Sequence, residues 1–382
     1  MTSPRSMLIA LVLITLGYRS ADGNRANASV NGGASTELQR DPRSALILTV
    51  VDTLVETENE YVGRVQAVTV APDRSILITD QFSRRIVRFG PGRDVRRMFG
   101  RSGDGPGEFQ GPLSVAVVGR DSVVVADVTN QSVSLFAQMG GLFIRRLHTP
   151  GIPRSLSAGP KRLFVSSYSV AANTAVATWP LAADTLRRWL ALPLSITRNK
   201  LAMRAWQTSV LASRADTVAV GFTPSNEILI AADGAEPADR FILPAKRRRA
   251  IPADLDAALA PVAATPGRLT LIPTLDGLYW RPDSLLLVWH KDWIAPSSGV
   301  TDFQRAATQA TLHAFVSVVD RAKRRACVDI AIPTDWAENP ALTAAGDLFY
   351  VVGHEVDARG KPTLEVRRFR FDLTKCDWVP LQ

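Results

Sequence analysis

Short apolar segments recur along the chain, alternate with polar positions and end at residues that favour turns. Examples are ILI at 76–78 and VVV at 123–125, each followed within a few residues by Asp, Ser, Asn or Gly. A two-residue period with turn residues between the segments is the pattern of short β-strands joined as hairpins. The pattern therefore predicts an all-β protein.

Two of these segments repeat each other. Residues 68–89 (VTVAPDRSILITDQFSRRIVRF) align without a gap with residues 115–136 (VAVVGRDSVVVADVTNQSVSLF), at a constant offset of 47 positions. A period of about 40–50 residues, with strand, turn and strand in each copy, is typical of the four-stranded blades of a β-propeller. The two copies are predicted to be the first two blades.

The later blades are less regular, and their boundaries follow from the apolar runs. Blade three is placed at 154–193, blade four at 207–244, blade five at strands 269–272, 284–289, 313–320 and 326–332, and blade six at 341–343, 347–353, 364–372 and 375–378. The early apolar strand 46–55 has no place in the first blade. We predict that it pairs with the last blade and closes a six-bladed ring, because closure removes exposed strand edges.

The second copy resembles the NHL-repeat family. The matching positions are GDGPGEF at 103–109, Pro112, VVVAD at 123–127, Asn130, Val133 and Phe136. The first copy departs from the family in having Ser83, where Asn is frequent, and in lacking a glycine cluster in its loop at 58–63. The resemblance covers about 85 residues. It implies a six-bladed propeller with four-stranded blades and is specific for fold rather than for activity.

Five residues of the repeat are expected to be structural. Asp80 and Asp127 each end the second strand of a copy, where a carboxylate can accept hydrogen bonds from backbone N–H groups of the following turn. Asn130 belongs to that turn. Gly105 and Gly107 lie in the loop between the copies, where positive φ angles are expected. A phosphate-binding loop is not favoured, because that site needs a following helix N-terminus.

The N-terminus has the features of an export signal. Arg5 precedes the apolar run 7–16, and Ala21-Asp22-Gly23 supplies small residues for cleavage. Residues 1–23 are therefore predicted to be a signal peptide, 24–44 a flexible leader and 45–382 the propeller. The protein is then periplasmic or extracellular. An uncleaved membrane anchor at the same segment is the alternative, although ten apolar residues are few for a membrane span.

Composition and charge add two expectations. The formal net charge is +9, with basic runs at 246–249 and 321–325. Both runs are expected to be solvated turns, and no nucleic acid is expected as a partner because no groove-binding or base-stacking motif accompanies them. Cys327 and Cys376 can form one disulfide in an oxidising compartment. Two separate buried thiols are the alternative.

No familiar catalytic motif is present, and the four histidines lack metal-ligand spacing. Candidate ligand-binding residues are Trp280, Arg281, Trp289, His290 and His354. Aromatic and arginine side chains suit binding surfaces, but they also pack propeller cores. No catalytic or metal residue and no cofactor are assigned. The favoured function is non-catalytic binding of a protein, peptide or glycan. The alternatives are a hydrolase or lyase with a divalent metal in the central channel, and an envelope anchor.

Overall fold

The computed structural model describes residues 42–56, 62–91, 95–137, 141–159, 161–169, 173–197, 209–223, 225–251, 254, 273–294, 311–334, 336–337, 340–356 and 362–382. The predicted signal peptide and most of the predicted leader lie outside these residues. Helix α1 (Pro42–Ile47) overlaps the last three positions of the predicted leader, and Ser44 within it is buried. The folded part of the chain thus includes residues before Ala45.

Six antiparallel sheets form the ring, as the repeat predicted. Blade one consists of β2 (Val65–Val70), β3 (Ile76–Asp80), β4 (Arg85–Phe89) and β5 (Val95–Phe99). Blade two consists of β6 (Pro112–Val118), β7 (Ser122–Asp127), β8 (Ser132–Ala137) and β9 (Leu142–His148). Blade three consists of β10 (Ile152–Ala158), β11 (Arg162–Ser169), β12 (Thr174–Pro180) and β13 (Arg187–Ala191), followed by the short helix α2 (Leu194–Thr197).

The remaining blades are built in the same way, with additions from the two ends of the chain. Blade four consists of β14 (Ser209–Arg214), β15 (Thr217–Phe222), β16 (Glu227–Ala232) and β17 (Pro237–Ile242). Blade five consists of β18 (Thr274–Trp280), β19 (Leu286–Ile294), β20 (Thr311–Asp320), β21 (Arg325–Ile332) and β25 (Trp378–Pro380). Blade six consists of β22 (Ala341–Ala345), β23 (Leu348–Val356), β24 (Pro362–Phe371) and β1 (Leu48–Glu56).

The ring is closed by the early strand. β1 is the outermost strand of blade six and pairs antiparallel with β24, from Leu48 opposite Phe371 to Glu56 opposite Leu364. The predicted closure is confirmed. It covers the edge of β24 and joins the two ends of the propeller through one sheet.

One strand prediction is wrong in placement. The segment 375–378 does not complete blade six; β25 instead pairs with β21 as a fifth strand of blade five. The segment cannot become the outer strand of blade six, because β1 already covers the outer edge of β24. The predicted strand 269–272 lies outside the described residues, and the innermost strand of blade five is β18.

The C-terminal segment is also joined to blade five covalently. Cys327 in β21 and Cys376, just before β25, form a disulfide with a Cα–Cα distance of 5.6 Å. Cys327 is buried in the core between blades five and six. The link holds the last residues of the chain against the outer edge of the blade.

The core is divided among the spaces between neighbouring blades. Each space is filled by apolar side chains from two adjacent sheets, as where Trp289 of blade five packs edge to face against Phe349 of blade six, with ring centroids 5.6 Å apart. A strand places alternate side chains on opposite faces. Each blade therefore contributes to the core on both of its sides, and near-continuous apolar strands such as β7 are buried along almost their whole length.

Asp80 and Asp127 hold equivalent positions in blades one and two, and both are fully buried. The Asp80 carboxylate accepts hydrogen bonds from the backbone N–H groups of Gly63, Arg64, Phe82 and Ser83, at 3.0–3.2 Å. The Asp127 carboxylate accepts them from Gln110, Gly111, Thr129 and Asn130, at 2.8–3.1 Å. Each N–H donor to Asp80 has a counterpart 47 positions later that donates to Asp127. Each carboxylate therefore binds the loop before its blade as well as the turn that follows it.

The other repeat residues support the same loop. The Asn130 side-chain amide donates to Asp127 Oδ2 at 3.1 Å. Gly107 has a φ of 78°, as expected for a glycine in this loop. Gly105 does not have a positive φ; its N–H donates to Glu108 Oε2 at 2.9 Å, and an added Cβ would lie 2.9 Å from the same oxygen. The expected positive φ is therefore wrong for Gly105, whose position brings its backbone close to the Glu108 carboxylate.

Candidate functional site

The ring encloses a central channel with a volume of about 930 Å³. The innermost strands of all six blades, β2, β6, β10, β14, β18 and β22, contribute to its wall. Half-buried small side chains, including Ser114, Ser157, Ser213 and Thr343, line the lumen. Because these side chains are short, the centre of the ring remains open.

Charged side chains lie near both ends of the channel. We call the side on which the innermost strands begin the entry face and the side on which they end the exit face. Lys291 and Asp276 form an ion pair in the entry half, with Nζ 3.2 Å from Oδ2. Arg370 and Asp347 pair at the exit face, with Nε 3.4 Å from Oδ2. Among the described lining residues five are cationic and two are acidic, so the channel is positively charged.

Trp280 and Trp289 are the two candidate ligand-binding residues that line the channel. Trp280 is the last residue of β18 and half-buried, whereas Trp289 lies in β19, the second strand of the blade, and is buried. The Trp289 indole reaches the channel because Gly277 lies opposite it; a Cβ at 277 would overlap the ring. Neither indole Nε1 has a hydrogen-bond partner among the described residues.

Arg281 is held just outside the channel wall. Its Nε and Nη2 donate to the two carboxylate oxygens of Asp283, at 3.1 and 3.0 Å, and its guanidinium carbon lies 5.6 Å from the centre of the Phe371 ring. Partial burial alone would raise the pKa of Asp283, but the hydrogen bond and charge of Arg281 outweigh it and the pKa is lowered. The charge of Arg281 is therefore already compensated within the turn.

His290 and His354 do not line the channel. His290 follows Trp289 and faces the opposite side of β19, where it is fully buried. Loss of hydration lowers its pKa well below the ordinary value, and the nearby charge of Arg248 lowers it further. His354 lies in β23, where burial lowers its pKa although the Val62 backbone and Asp80 favour the charged form. Neutral imidazoles in these positions are parts of the packing.

The basic run 246–249 is only partly solvated, in contrast to the expectation from its charge: Lys246 and Arg249 are exposed, but Arg248 is buried. The Arg248 and Asp329 side chains are both fully buried and pair at 2.9 Å between Nε and Oδ1. The Arg249 guanidinium pairs with the buried Asp292. The run is ordered because blade five supplies two buried carboxylates for it. We call residues 246–249 the basic strap.

Sequence reasoning missed Arg154, the third residue of β10. Arg154 lines the channel and is only 9% exposed. A signal was present: Pro153-Arg154-Ser155-Leu156 repeats the pattern of Pro112-Leu113-Ser114-Val115 at the start of blade two, with arginine in place of a buried leucine. An arginine at a position that is apolar in a neighbouring repeat indicates a local role beyond packing.

Nowhere in the described ranges do three His, Cys, Asp or Glu side chains group as a metal-binding cluster. Of the helices that the structure describes, none is long and apolar enough to cross a bilayer.

The fold is shared with solved propeller structures of very different sequence. A member of the DUF4221 family from Bacteroides vulgatus has a TM-score of 0.56 at 8% identity, over 85% of this chain and 98% of that one. A protein of Bacteroides fragilis classed as exported has a TM-score of 0.53 at 12% identity, over 85% and 96%. Virginiamycin B lyase from Staphylococcus aureus has a TM-score of 0.50 at 10% identity, over 84% and 99%.

These likenesses show the propeller fold alone, because the identities are low, and the count of six blades comes from the sheets of this structure. No protein-family model matches the chain, and no curated protein matches its sequence. The general propeller resemblance is therefore confirmed, whereas membership of the NHL-repeat family is not.

Proposed function

We propose that the protein is an exported, non-catalytic propeller that binds part of a peptide, protein or glycan ligand inside its central channel. The observation that carries this proposal is the open channel of about 930 Å³, whose wall combines indole rings with polar side chains. Sites for small ligands usually have about 300–1,000 Å³ and a few well-placed polar groups in an apolar wall. The channel is thus large enough for a peptide end or a short oligosaccharide.

Export to the periplasm or the cell exterior is part of the proposal. It is supported by the apolar run 7–16 behind Arg5. It is also supported by the Cys327–Cys376 disulfide, since disulfides form and persist in oxidising compartments. The NHL-like repeat in blades one and two fits a binding module of this type without specifying its ligand.

Filling the channel tests the proposal. Ser114→Trp and Thr343→Trp each place a large side chain in the lumen, while Arg188→Trp places the same side chain on the exposed outer strand β13. Binding of a defined panel of short peptides and oligosaccharides is followed by thermal shift. We expect panel members that stabilise the wild type to stabilise R188W as well, but not S114W or T343W. Binding that survives both lumen variants would place the site outside the channel and contradict the proposal.

A further inference from the structure

Arg154 is a buried cation without a counter-ion. No described residue forms an ion pair or hydrogen bond with its side chain, and its Nε is shielded from solvent. Desolvation lowers the pKa of Arg154 to about 10, and no carboxylate opposes that effect. By contrast, the other two buried arginines in the described residues are paired, Arg88 with Asp73 and Arg248 with Asp329. A buried charge that lacks a partner costs free energy of folding, so a compensating group is expected at this place.

Two other donors that lack a partner line the same channel. The backbone N–H of Leu211 donates to Ser155 Oγ at 3.3 Å, which places the start of β10 level with the start of β14. Thr223 lies at the same end of blade four. Its backbone carbonyl accepts a hydrogen bond from the backbone N–H of Leu275 in β18. The Thr223 Oγ1 and the Trp289 Nε1 are both buried without a partner among the described residues, and both residues line the channel.

These groups favour one type of ligand atom. The guanidinium of arginine and the indole N–H can only donate hydrogen bonds, and a threonine hydroxyl can donate one. Asp276, the acidic lining residue described in the entry half, is already paired with Lys291. The entry half therefore offers donors and net positive charge, which suits a group with several acceptor oxygens and a negative charge.

We propose that Arg154 anchors an oxyanion site in the entry half of the channel, and that this site binds the carboxylate or phosphate group of an acidic ligand. The proposal rests on the proposed channel-binding function and specifies the ligand class for it. The planar guanidinium can hold two oxygens of such a group at once, which an ammonium group cannot do with the same geometry. Thr223 and Trp289 add two further donors to the channel that would hold this ligand.

The test uses the full exported chain and three simple probes, acetate, inorganic phosphate and neutral acetamide, at constant ionic strength. Binding is measured by calorimetry and by the melting temperature. We expect acetate or phosphate to bind and acetamide not to bind, and we expect Arg154→Met to weaken anion binding at least about tenfold, the loss of one charge-assisted contact. The acetate and phosphate arms show which oxyanion the site prefers.

Stability without ligand separates a binding role from a structural one. Removing an unpaired buried charge should leave the melting temperature of R154M unchanged or higher in anion-free buffer. Arg370→Met is the matched control, since it removes one channel cation from the exit face and should keep anion binding. If R154M does not fold, Arg154→Lys replaces it, with wild-type stability and weakened anion binding expected.

Two results would overturn the oxyanion site. The first is anion binding of equal strength in the wild type and in R154M or R154K. The second is an absence of acetate and phosphate binding in the wild type, whatever the stability of the Arg154 variants. Either result leaves the channel-binding function standing as long as a neutral peptide or glycan is still excluded by S114W, so failure of the two proposals can be told apart.

Discussion

Blades one and two differ from blade five in where their supporting contacts come from. In blades one and two, a buried aspartate binds backbone groups no more than 17 residues before it and three residues after it. In blade five, the buried aspartate Asp329 accepts hydrogen bonds from the backbone N–H groups of Lys246, Arg247 and Arg248, which precede it by more than 80 residues.

Blade five also receives both ends of the chain. The Ser44 hydroxyl in α1 accepts hydrogen bonds from Arg247 of the basic strap and from the backbone N–H of Ala331 in β21, both at 2.8 Å. On the outer edge, β25 pairs with β21 next to the disulfide. A regular blade is thus stabilised by its own repeat, whereas blade five is stabilised by segments from three other parts of the sequence.

The contact between the strap and blade five should give the largest loss of stability when broken. Asp329→Asn keeps the size of the side chain and is tolerated at the φ of 53° found there, but it removes the carboxylate that pairs with the buried Arg248. Loss of one partner of a buried pair costs about 3–5 kcal/mol, and we expect a decrease of that size in the free energy of unfolding, measured by urea denaturation.

Two variants control this prediction. Asp239→Asn removes a carboxylate that pairs with the exposed Arg324 on the outside of blade four and should cost at most about 1 kcal/mol. Adding Arg248→Met to Asp329→Asn removes the stranded charge and should restore part of the stability. Equal losses for Asp329→Asn and Asp239→Asn would mean that the strap does not support blade five.

Breaking the repeat contact should give a smaller and more local effect. Asp80→Asn and Asp127→Asn each replace one acceptor oxygen by an amide that cannot accept, so buried N–H groups are left without a partner. We expect losses of about 1–3 kcal/mol, similar in the two variants because the two sets of backbone hydrogen bonds are equivalent. Hydrogen exchange should increase at Gly63 and Arg64 in the first variant and at Gln110 and Gly111 in the second. Faster exchange in both blades of either variant would show that the repeats are not independent.

The same contrast explains which parts of the fold could be predicted. The offset of 47 positions is visible in the sequence because Asp80 and Asp127 make local contacts with equivalent backbone groups. Ring closure by β1 could be inferred because an apolar strand was left without a blade. The placement of β25 could not, because a three-residue strand carries little pattern and its partner edge depends on β1 having taken the edge of β24.

The candidate site was only partly predictable for a similar reason. Trp280 and Trp289 could be chosen from the sequence as large aromatic side chains, and both line the channel. His290 is adjacent to Trp289 in sequence but faces the other side of the strand, and the β-bulge opposite it obscured the alternation. Arg154 was missed because a single arginine within an apolar strand has no motif around it. The anion-binding role that we propose for Arg154 rests on the lack of a counter-ion among the described residues, and only the folded structure shows that.

The smallest predicted effect concerns His290 in blade five and depends on pH. Its pKa is lowered in the folded protein, so below about pH 6.5 the unfolded chain binds a proton that the folded chain does not. The free energy of unfolding should therefore fall as the pH decreases from 7 to 5, by up to about 1.4 kcal/mol per pH unit from this residue. His290→Met should flatten the curve measured by urea denaturation, and His313→Met should flatten it less, because the Asp292 charge opposes desolvation there. Parallel curves for the wild type and His290→Met would show that His290 binds its proton as readily in the folded blade as in the unfolded chain. A charged His290 could not then lie next to a charged Arg248 of the basic strap.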